Sequence, residues 1–177
     1  YDVASIPNLA GHPYQPRSMD KSDIRNLRHW HRAAALRAKT AEFDIVYVYA
    51  THGYLLSHFL SAETNDRTDE YGGSMENRAR LLRELIEETK EAVGDRCAVA
   101  VRYSVGGDDG ESDTLTNERR DCLEMLAEYP DLWDININNY EREMGVSRFF
   151  ESGSLEEYMA FVKSVTTKPV VTVGRFT

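Results

Sequence analysis

The stretch FDIVYVYATHGYLLSHFLSAETNDRTDEYGGSMENRAR, residues 43–80, decides the fold. It opens on the apolar run Phe43–Tyr49, which predicts a buried strand, and a loop with aromatic and histidine side chains follows. A Gly72–Gly73 turn then leads into a helix at Ser74, a residue type that favours helix starts. A strand whose carboxyl end delivers titratable and aromatic side chains into a long loop is the way a (β/α) barrel builds an active site.

The same alternation of strand and helix continues along the chain. Apolar runs predict four strands, at Phe43–Tyr49, Cys97–Tyr103, Leu132–Ile137 and Pro169–Val173. Helical periodicity predicts helices over about Asp23–Ala41, Glu76–Val93, Thr116–Ala127 and Leu155–Val165, with Ser22 and Ser154 as N-caps. Because strands rich in valine and isoleucine alternate with helices, we predict a parallel sheet covered by helices. The expected fold class is α/β: a partial (β/α)8 TIM barrel with about four parallel strands and flanking helices.

The chain is expected to form one structural unit that begins with a polar loop. Residues 1–21 form a proline-containing loop, and residues 22–177 hold the strand–helix units. Because the sequence starts at Tyr1 and stops just after a strand, we expect a fragment of a single, larger barrel domain. Four strands would leave two sheet edges and one sheet face exposed, so we expect the 177 residues alone to be neither stable nor active.

Composition excludes several classes of partner. The 177 residues are 41% hydrophobic, with a mean hydropathy of −0.54, as in ordinary globular proteins. The net charge of −9 argues against nucleic acid and against an anionic membrane surface, both of which attract clustered lysine and arginine. No apolar run approaches the roughly 20 residues that a membrane span needs.

The two cysteines, Cys97 and Cys122, lie far apart in the sequence, outside any CxxC motif and away from clustered histidines. This spacing predicts no metal site and no redox motif. Reduced thiols in such positions are typical of a reducing compartment, so we expect a cytoplasmic protein.

In a barrel of this kind the functional groups come from the carboxyl ends of the strands. Four clusters of polar residues occupy those positions: Tyr49, His52 and Tyr54; Arg102 and Ser104; Asn136, Asn138, Tyr140 and Glu143; Gly174 and Arg175. A neutral imidazole between two phenols can exchange protons near neutral pH. An inward arginine needs an anionic or acceptor-rich partner, and glycine beside arginine suits a phosphate.

The run H-G-Y-L…F-L…N-x-R-x-D-x-Y-G-G-S-x-E-N-R-x-R, from His52 to Arg80, resembles the flavin-dependent Old Yellow Enzyme family. About a dozen positions match at fixed spacing, which makes the resemblance specific. The segments FDIVYVY, LWDI, SRF and VGRFT are most similar to the trimethylamine dehydrogenase branch, and the 2,4-dienoyl-CoA reductases are a related branch. The resemblance extends from about Ser22 to the end of the chain and covers part of the family's barrel.

The resemblance implies roles for individual residues. Tyr49 and His52 match two members of a Tyr–His–acid group beside the flavin, and Glu143 matches the acid, with Glu141 as an alternative. Tyr54 matches the proton donor of the dienoyl-CoA reductases. Tyr140 matches an aromatic residue of a cage for a methylated ammonium group, which cation–π attraction would hold.

The resemblance also implies a cofactor site for FMN. Arg102 would stabilise the negative charge of the reduced flavin near N1 and O2, and the alternative for an arginine there is a salt bridge within the barrel. Gly174 and Arg175 would form half of the site for the FMN phosphate. The segment from Arg67 to Arg78, which carries much of the resemblance, is expected to be a structural loop and helix cap.

The predicted function is therefore an FMN-dependent oxidoreductase that dehydrogenates and N-demethylates a small methylated amine. The alternative is an NAD(P)H-dependent ene-reductase. Two further interpretations are a phosphate-binding barrel without redox chemistry and an inert fragment. The expected partners are a small-molecule amine or enone, an electron-transfer protein or NAD(P)H, and a second copy of the protein. The branch implies a 4Fe–4S cluster in the full-length protein, with no ligands for it in this chain.

Overall fold

The computed structural model describes residues 2–4, 16–106, 117–137, 152–153 and 155–173. Its helices are α1 Lys21–Thr40, α2 Leu55–Leu60, α3 Met75–Val93, α4 Asn117–Leu126 and α5 Glu156–Val165. Its strands are β1 Ile45–Ala50, β2 Ala98–Ser104, β3 Leu132–Asn136 and β4 Val170–Thr172, and a short 3₁₀ turn spans Gly94–Arg96. The four predicted strands and four predicted helices are all present, and the short helix α2 is an addition that the sequence did not indicate.

The four strands form one parallel sheet in the order β1-β2-β3-β4. Each strand therefore lies beside the next one in the sequence. Because crossovers between parallel strands are right-handed, a sequential order places every connecting helix on the same face of the sheet. This is the winding of a (β/α) barrel, and the predicted fold class is confirmed.

The hydrophobic core lies between the sheet and its helices. Val48, Val101 and Trp133 point from three neighbouring strands to the helix-covered face of the sheet, and Leu82 and Ile86 of α3 are equally buried in the same core. Full burial of each such side chain stabilises the fold by about 1.5–3 kcal/mol. The Trp133 indole also donates to the Ala127 carbonyl at 2.9 Å, so its one polar atom is satisfied inside the core.

The opposite face of the sheet is open. Successive side chains of a strand alternate between faces, and in β1 this alternation leaves Ile45, Tyr47 and Tyr49 exposed. Val171 of β4 is exposed on the same side. Within the described residues β1 and β4 are the sheet edges, as the count of four strands predicted.

Helix α1 begins two residues earlier than predicted. Asp20, not Ser22, is the N-cap: its side chain accepts from the Asp23 amide, and the Asp23 carboxylate accepts from the Asp20 amide. Asp20 and Ser22 are both residue types that favour an N-cap. Asp20 and Asp23 together form a capping box, in which each side chain satisfies one free backbone amide. The predicted cap Ser154 of α5 lies outside the described residues, and no side chain of Leu155 caps that helix.

The segment from Arg67 to Arg78 is a structural loop followed by the N-cap Ser74 and the first turn of α3, as predicted. The buried Asn65 amide donates to the carbonyls of Phe59 (2.6 Å) and Tyr71 (2.8 Å). Arg67 holds Asp69 through two hydrogen bonds, and Arg78 donates to the Leu60 carbonyl at 2.8 Å. These bonds replace the backbone pairing that a loop lacks, and they hold α2 against α3.

Two further features of the core are settled by the structure. Cys97 and Cys122 are buried free thiols, in agreement with the expected reduced state. His58 contacts the buried Asp2 carboxylate at 2.8 Å and fixes the segment 2–4 against α2. No helix within the described ranges is both long enough and apolar enough to cross a membrane.

The Gly72–Gly73 turn offers a matched pair of substitutions. A Cβ atom on Gly72 would lie 2.0 Å from the Arg67 carbonyl oxygen, whereas one on Gly73 would meet nothing within 4 Å. Gly73 has φ +84°, so Gly73→Ala should cost about 1–2 kcal/mol of folding free energy through backbone strain alone. Gly72→Ala should cost about 3 kcal/mol, because backbone must move to admit the methyl group. Urea unfolding of both variants measures the difference, and equal losses would contradict the packing argument.

The Cys122 thiol should be unreactive in the folded protein. Burial raises its pKa to about 11, so only about one thiol in 1,000 is ionised at pH 8. The raised pKa favours the folded state below pH 9, and this contribution is lost as the pH rises towards 11. We expect iodoacetamide to modify Cys122 at pH 8 only after denaturation, as read by peptide mass spectrometry. Rapid modification of the native protein would show that the thiol is accessible.

Candidate functional site

The site begins with a tight turn at the carboxyl end of β1. Residues 51–54 form this turn, in which the Tyr54 amide donates to the Thr51 carbonyl at 3.3 Å. His52 and Gly53 occupy its central positions with φ of +59° and +65°, the signs required by a type I′ turn. A positive φ is uncommon for histidine, and such strained residues cluster at functional sites. The turn folds the His52 ring back over the sheet, where the residue is only 6% exposed.

The turn brings the three predicted residues of the first cluster together. The Tyr49 hydroxyl lies 2.5 Å from His52 Nδ1, and the Tyr49 ring centroid lies 5.9 Å from that of Tyr54 at a 51° tilt. Tyr49 and Tyr54 are 41% and 45% exposed, so both rings face the open side of the site while His52 is covered. The arrangement joins a solvent-facing phenol to a buried imidazole, which can pass a proton between them.

Beneath His52 lies a buried polar cluster of three residues, Thr51, Ser104 and Asn136, which we call the strand-end cluster. They follow or end β1, β2 and β3, and all three are fully buried. The Thr51 hydroxyl contacts both the Ser104 hydroxyl and the Asn136 amide. Because buried polar groups are costly unless they are hydrogen-bonded, the three side chains stabilise one another only as a group.

Arg102 and the Tyr103 carbonyl determine the orientation of the Asn136 amide. Arg102 Nε can only donate and the carbonyl can only accept, so the amide is assigned with Oδ1 towards Arg102 (3.0 Å) and Nδ2 towards Tyr103 (3.1 Å). In this orientation Oδ1 also lies 3.3 Å from His52 Nε2, and Nδ2 lies 3.1 Å from the Ser104 hydroxyl. Asn136 thus links the arginine of β2 to the histidine of the turn.

Arg102 lies between Tyr49 and Asp134 at one level of the sheet, because the strand register pairs it with both. Its guanidinium contacts the Asp134 carboxylate at 3.3 Å. The salt bridge that the sequence allowed as an alternative is therefore present. The Arg102 side chain is 26% exposed towards the open face of the sheet.

The Asp134 charge also acts on Tyr47 of β1, two strands away in the sheet. Burial, followed by the nearby Asp134 carboxylate, raises the pKa of Tyr47, and the Arg102 charge opposes this shift. Tyr47 is thus a neutral phenol across the working pH range. Among the described residues, the open face carries the Arg102 cation, the Asp134 carboxylate and the phenols of Tyr47 and Tyr49, so this face has a polar lining.

Two members of the site were missed by the sequence reasoning. Thr51 stands between Tyr49 and His52, and its hydroxyl gave no signal of its own. Asp134 interrupts an apolar run and lies two residues before Asn136, so the two side chains point to the same face of the sheet. A strand register that aligns Arg102 with Asp134 would have revealed the ion pair. The remaining predicted site residues, Tyr140, Glu143, Gly174 and Arg175, lie outside the described residues, as do Asn138 and Glu141.

Loss of the Thr51 hydroxyl should destabilise the fold. Thr51→Val keeps the side-chain shape but leaves the buried Ser104 and Asn136 groups with one partner fewer, at a cost of about 1–3 kcal/mol. Thr167→Val is the matched control, because the Thr167 hydroxyl bonds Glu128 at an exposed position, where the loss should be below about 1 kcal/mol. Thermal unfolding compares the two, and an equal loss would mean that the strand-end cluster contributes no more than a surface contact.

Comparison with known proteins gives a consistent family. A sequence profile of the NADH:flavin oxidoreductase / NADH oxidase family matches residues 3–177. A dimethylamine dehydrogenase from Hyphomicrobium sp. (strain x) is 35% identical over 184 residues, which covers 99% of this chain and 24% of the relative. The resemblance drawn from residues 52–80 is thereby confirmed.

Solved structures agree with the sequence matches. The structure of 6-hydroxypseudooxynicotine amine oxidase from Pseudomonas geniculata N1 is 50% identical with a TM-score of 0.88, and the match covers 96% of this chain and 26% of that one. A 2-naphthoyl-CoA reductase bound to 2-naphthoyl-CoA is 27% identical with a TM-score of 0.82, over 97% of this chain and 26% of that one. The chain spans about a quarter of the length of the relatives described here.

Proposed function

We propose, from the premise that the chain belongs to the NADH:flavin oxidoreductase / NADH oxidase family, that its parent protein is an FMN-dependent dehydrogenase of small amines. The methylated amines, which would be N-demethylated, are the favoured substrates. The single observation that carries the proposal is the hydrogen bond between Tyr49 and His52 at the carboxyl end of β1. Relatives with amine-oxidising names support the same choice.

The described residues fit a flavin. Arg102 places a permanent positive charge at the open face of the sheet, and the pyrimidine edge of a flavin is rich in acceptors and gains negative charge on reduction. The Asp134 partner holds the guanidinium in place without removing it from that face. When bound, the flavin supplies the acceptor for the two electrons that the substrate loses. Gly174 and Arg175 are proposed to hold the phosphate.

Tyr49 and His52 would prepare the amine for oxidation. At neutral pH an alkylamine carries an extra proton, and its nitrogen lone pair is available to assist C–H cleavage only after that proton leaves. The Tyr49 phenol donates its proton to His52 Nδ1 and takes up the proton of the substrate ammonium. The net transfer is one proton from the substrate nitrogen to the buried imidazole, with the phenol restored.

The exposed faces of Tyr49 and Tyr54 would attract the cationic form of the amine. Their rings are tilted by 51° with centroids 5.9 Å apart, so together they form an aromatic corner. A cation over such faces gains about 0.5–2 kcal/mol. Tyr140 is proposed as a further wall of the same pocket, and Glu143 as the acid of the group, whose negative charge would stabilise His52 once His52 is protonated.

An NAD(P)H-dependent ene-reductase is the second candidate. Tyr54 favours it, because this exposed phenol lies beside Tyr49. It could protonate an enone carbon directly, without a proton transfer through His52. The likeness to a CoA-ester reductase supports this reading. The two candidates differ in which phenol handles the proton, and that difference can be measured.

The deciding experiment uses the full-length parent protein, purified under anaerobic conditions. The visible flavin spectrum is recorded before and after addition of di- or trimethylamine and, separately, of NADH and NADPH. We expect bleaching by the amine without NAD(P)H. Bleaching by NAD(P)H alone, with recovery on addition of an enone, would replace the proposal by ene-reduction, and a protein that does not take up FMN would refute both.

Two tyrosine variants form a matched pair for the same assay. Tyr49→Phe should slow amine-dependent bleaching about 100-fold, because the proton path to His52 is lost. Tyr54→Phe keeps the ring face and should slow it less than about 5-fold, since the hydroxyl has no part in the transfer. Stopped-flow rates at saturating amine give both numbers. The reverse order, with Tyr54→Phe the slower variant, would contradict the assignment of Tyr49.

A further inference from the structure

We propose that Asn136 is a positioning residue that holds His52 in the tautomer protonated at Nε2, and thereby fixes the direction of the Tyr49–His52 hydrogen bond. No part of the amine chemistry above requires Asn136. The structural part of the inference stands on contacts among described residues. Its catalytic consequence rests on the proposed function.

The first step is the orientation of the amide. Arg102 is always protonated, so Nε presents a hydrogen and no lone pair, and it lies 3.0 Å from Asn136 Oδ1. The Tyr103 carbonyl presents only lone pairs and lies 3.1 Å from Nδ2. Rotating the amide by 180° would place donor against donor and acceptor against acceptor. These two partners cannot change their roles with pH, so the amide has one orientation.

The second step is the tautomer of His52. Asn136 Oδ1, fixed by Arg102, lies 3.3 Å from His52 Nε2 and can only accept. A hydrogen bond across this distance requires the hydrogen on Nε2. In the neutral ring Nδ1 then carries the lone pair. The other tautomer would leave two lone pairs facing each other at a position where His52 and Asn136 are both buried.

The third step is the direction of the bond to Tyr49. With a lone pair on Nδ1, the 2.5 Å contact can only be made by the Tyr49 hydroxyl as donor. The Tyr49 phenol is exposed at the open face, where a substrate ammonium would release a proton. In the opposite tautomer Nδ1 would donate to that oxygen, and His52 could not receive the phenol proton. Asn136 therefore sets which way protons move through the pair.

The strand-end cluster keeps this device rigid. Thr51 and Ser104 surround the Nδ2 side of the amide, and their hydroxyls rotate to accept from it. All members come from strand ends or from the turn that carries His52, so the geometry is set by the sheet and not by a mobile loop. This explains why an otherwise apolar barrel buries three polar side chains directly beneath the histidine.

The test is the ring tautomer of His52 in the full-length protein, at a pH where the ring is neutral. The protein is labelled with ¹⁵N-histidine, and the two ring nitrogen signals are read by magic-angle-spinning NMR, with His52 assigned by the loss of its signals in His52→Gln. We expect a protonated Nε2 and an unprotonated Nδ1. A protonated Nδ1 in the wild-type protein would overturn the proposal without any variant.

Three variants separate positioning from general structural damage. Asn136→Leu removes the acceptor, and we expect loss of the Nε2–H preference and at least a 10-fold slower bleaching by amine. Asn136→Asp keeps an acceptor facing both Arg102 and His52, and we expect the Nε2–H tautomer to return. Asn65→Leu is the control: it removes another buried asparagine, which bonds the Phe59 and Tyr71 carbonyls, and should lower the melting temperature with the tautomer unchanged.

The outcomes distinguish this inference from the proposed function. An Nε2–H tautomer that persists in Asn136→Leu would overturn the positioning role, whatever the substrate. The predicted tautomer changes, found in a protein that no amine bleaches, would leave Asn136 as the positioning residue and refute amine oxidation. If Asn136→Leu does not fold, the wild-type measurement and the Asp variant still decide.

Discussion

Right-handed crossover between neighbouring parallel strands is the constraint on which the structure depends. With the order β1-β2-β3-β4 it sends every helix to one face and brings all four carboxyl strand ends to one edge. Residues that are about 30 to 50 positions apart in the sequence become lateral neighbours at that edge. Tyr49, Arg102 and Asp134 meet only because each stands at the same level of its strand.

Much of the fold followed from local sequence patterns. The apolar runs and helical periods located all four strands and the four longer helices, since each pattern reports directly on burial. Element ends moved by one or two residues because capping depends on side-chain competition, as with Asp20 and Ser22. The short helix α2 escaped because six residues carry too little periodicity, and the bonds that hold it come from Asn65 and Arg78 outside it.

The site was predictable in part for a different reason. Tyr49, His52 and Arg102 could be chosen from their positions at strand ends together with a specific family resemblance. Thr51 and Asp134 could not, because their importance arises from partners on other strands, and register is not visible in a single strand. The roles of Tyr140, Glu143, Gly174 and Arg175 remain predictions, since these residues lie outside the described part of the chain.

The left-handed backbone at His52 has a consequence for how this position can change during evolution. At φ +59° most side chains with a Cβ atom are penalised, and the residues that tolerate it best are glycine, asparagine, aspartate and histidine. The backbone conformation therefore limits which residues can replace His52, whatever the chemistry of their side chains. Apart from glycine, every residue that tolerates this conformation well bears a hydrogen-bonding group, so the partner offered to Tyr49 and Asn136 can change by a single substitution without dismantling the turn.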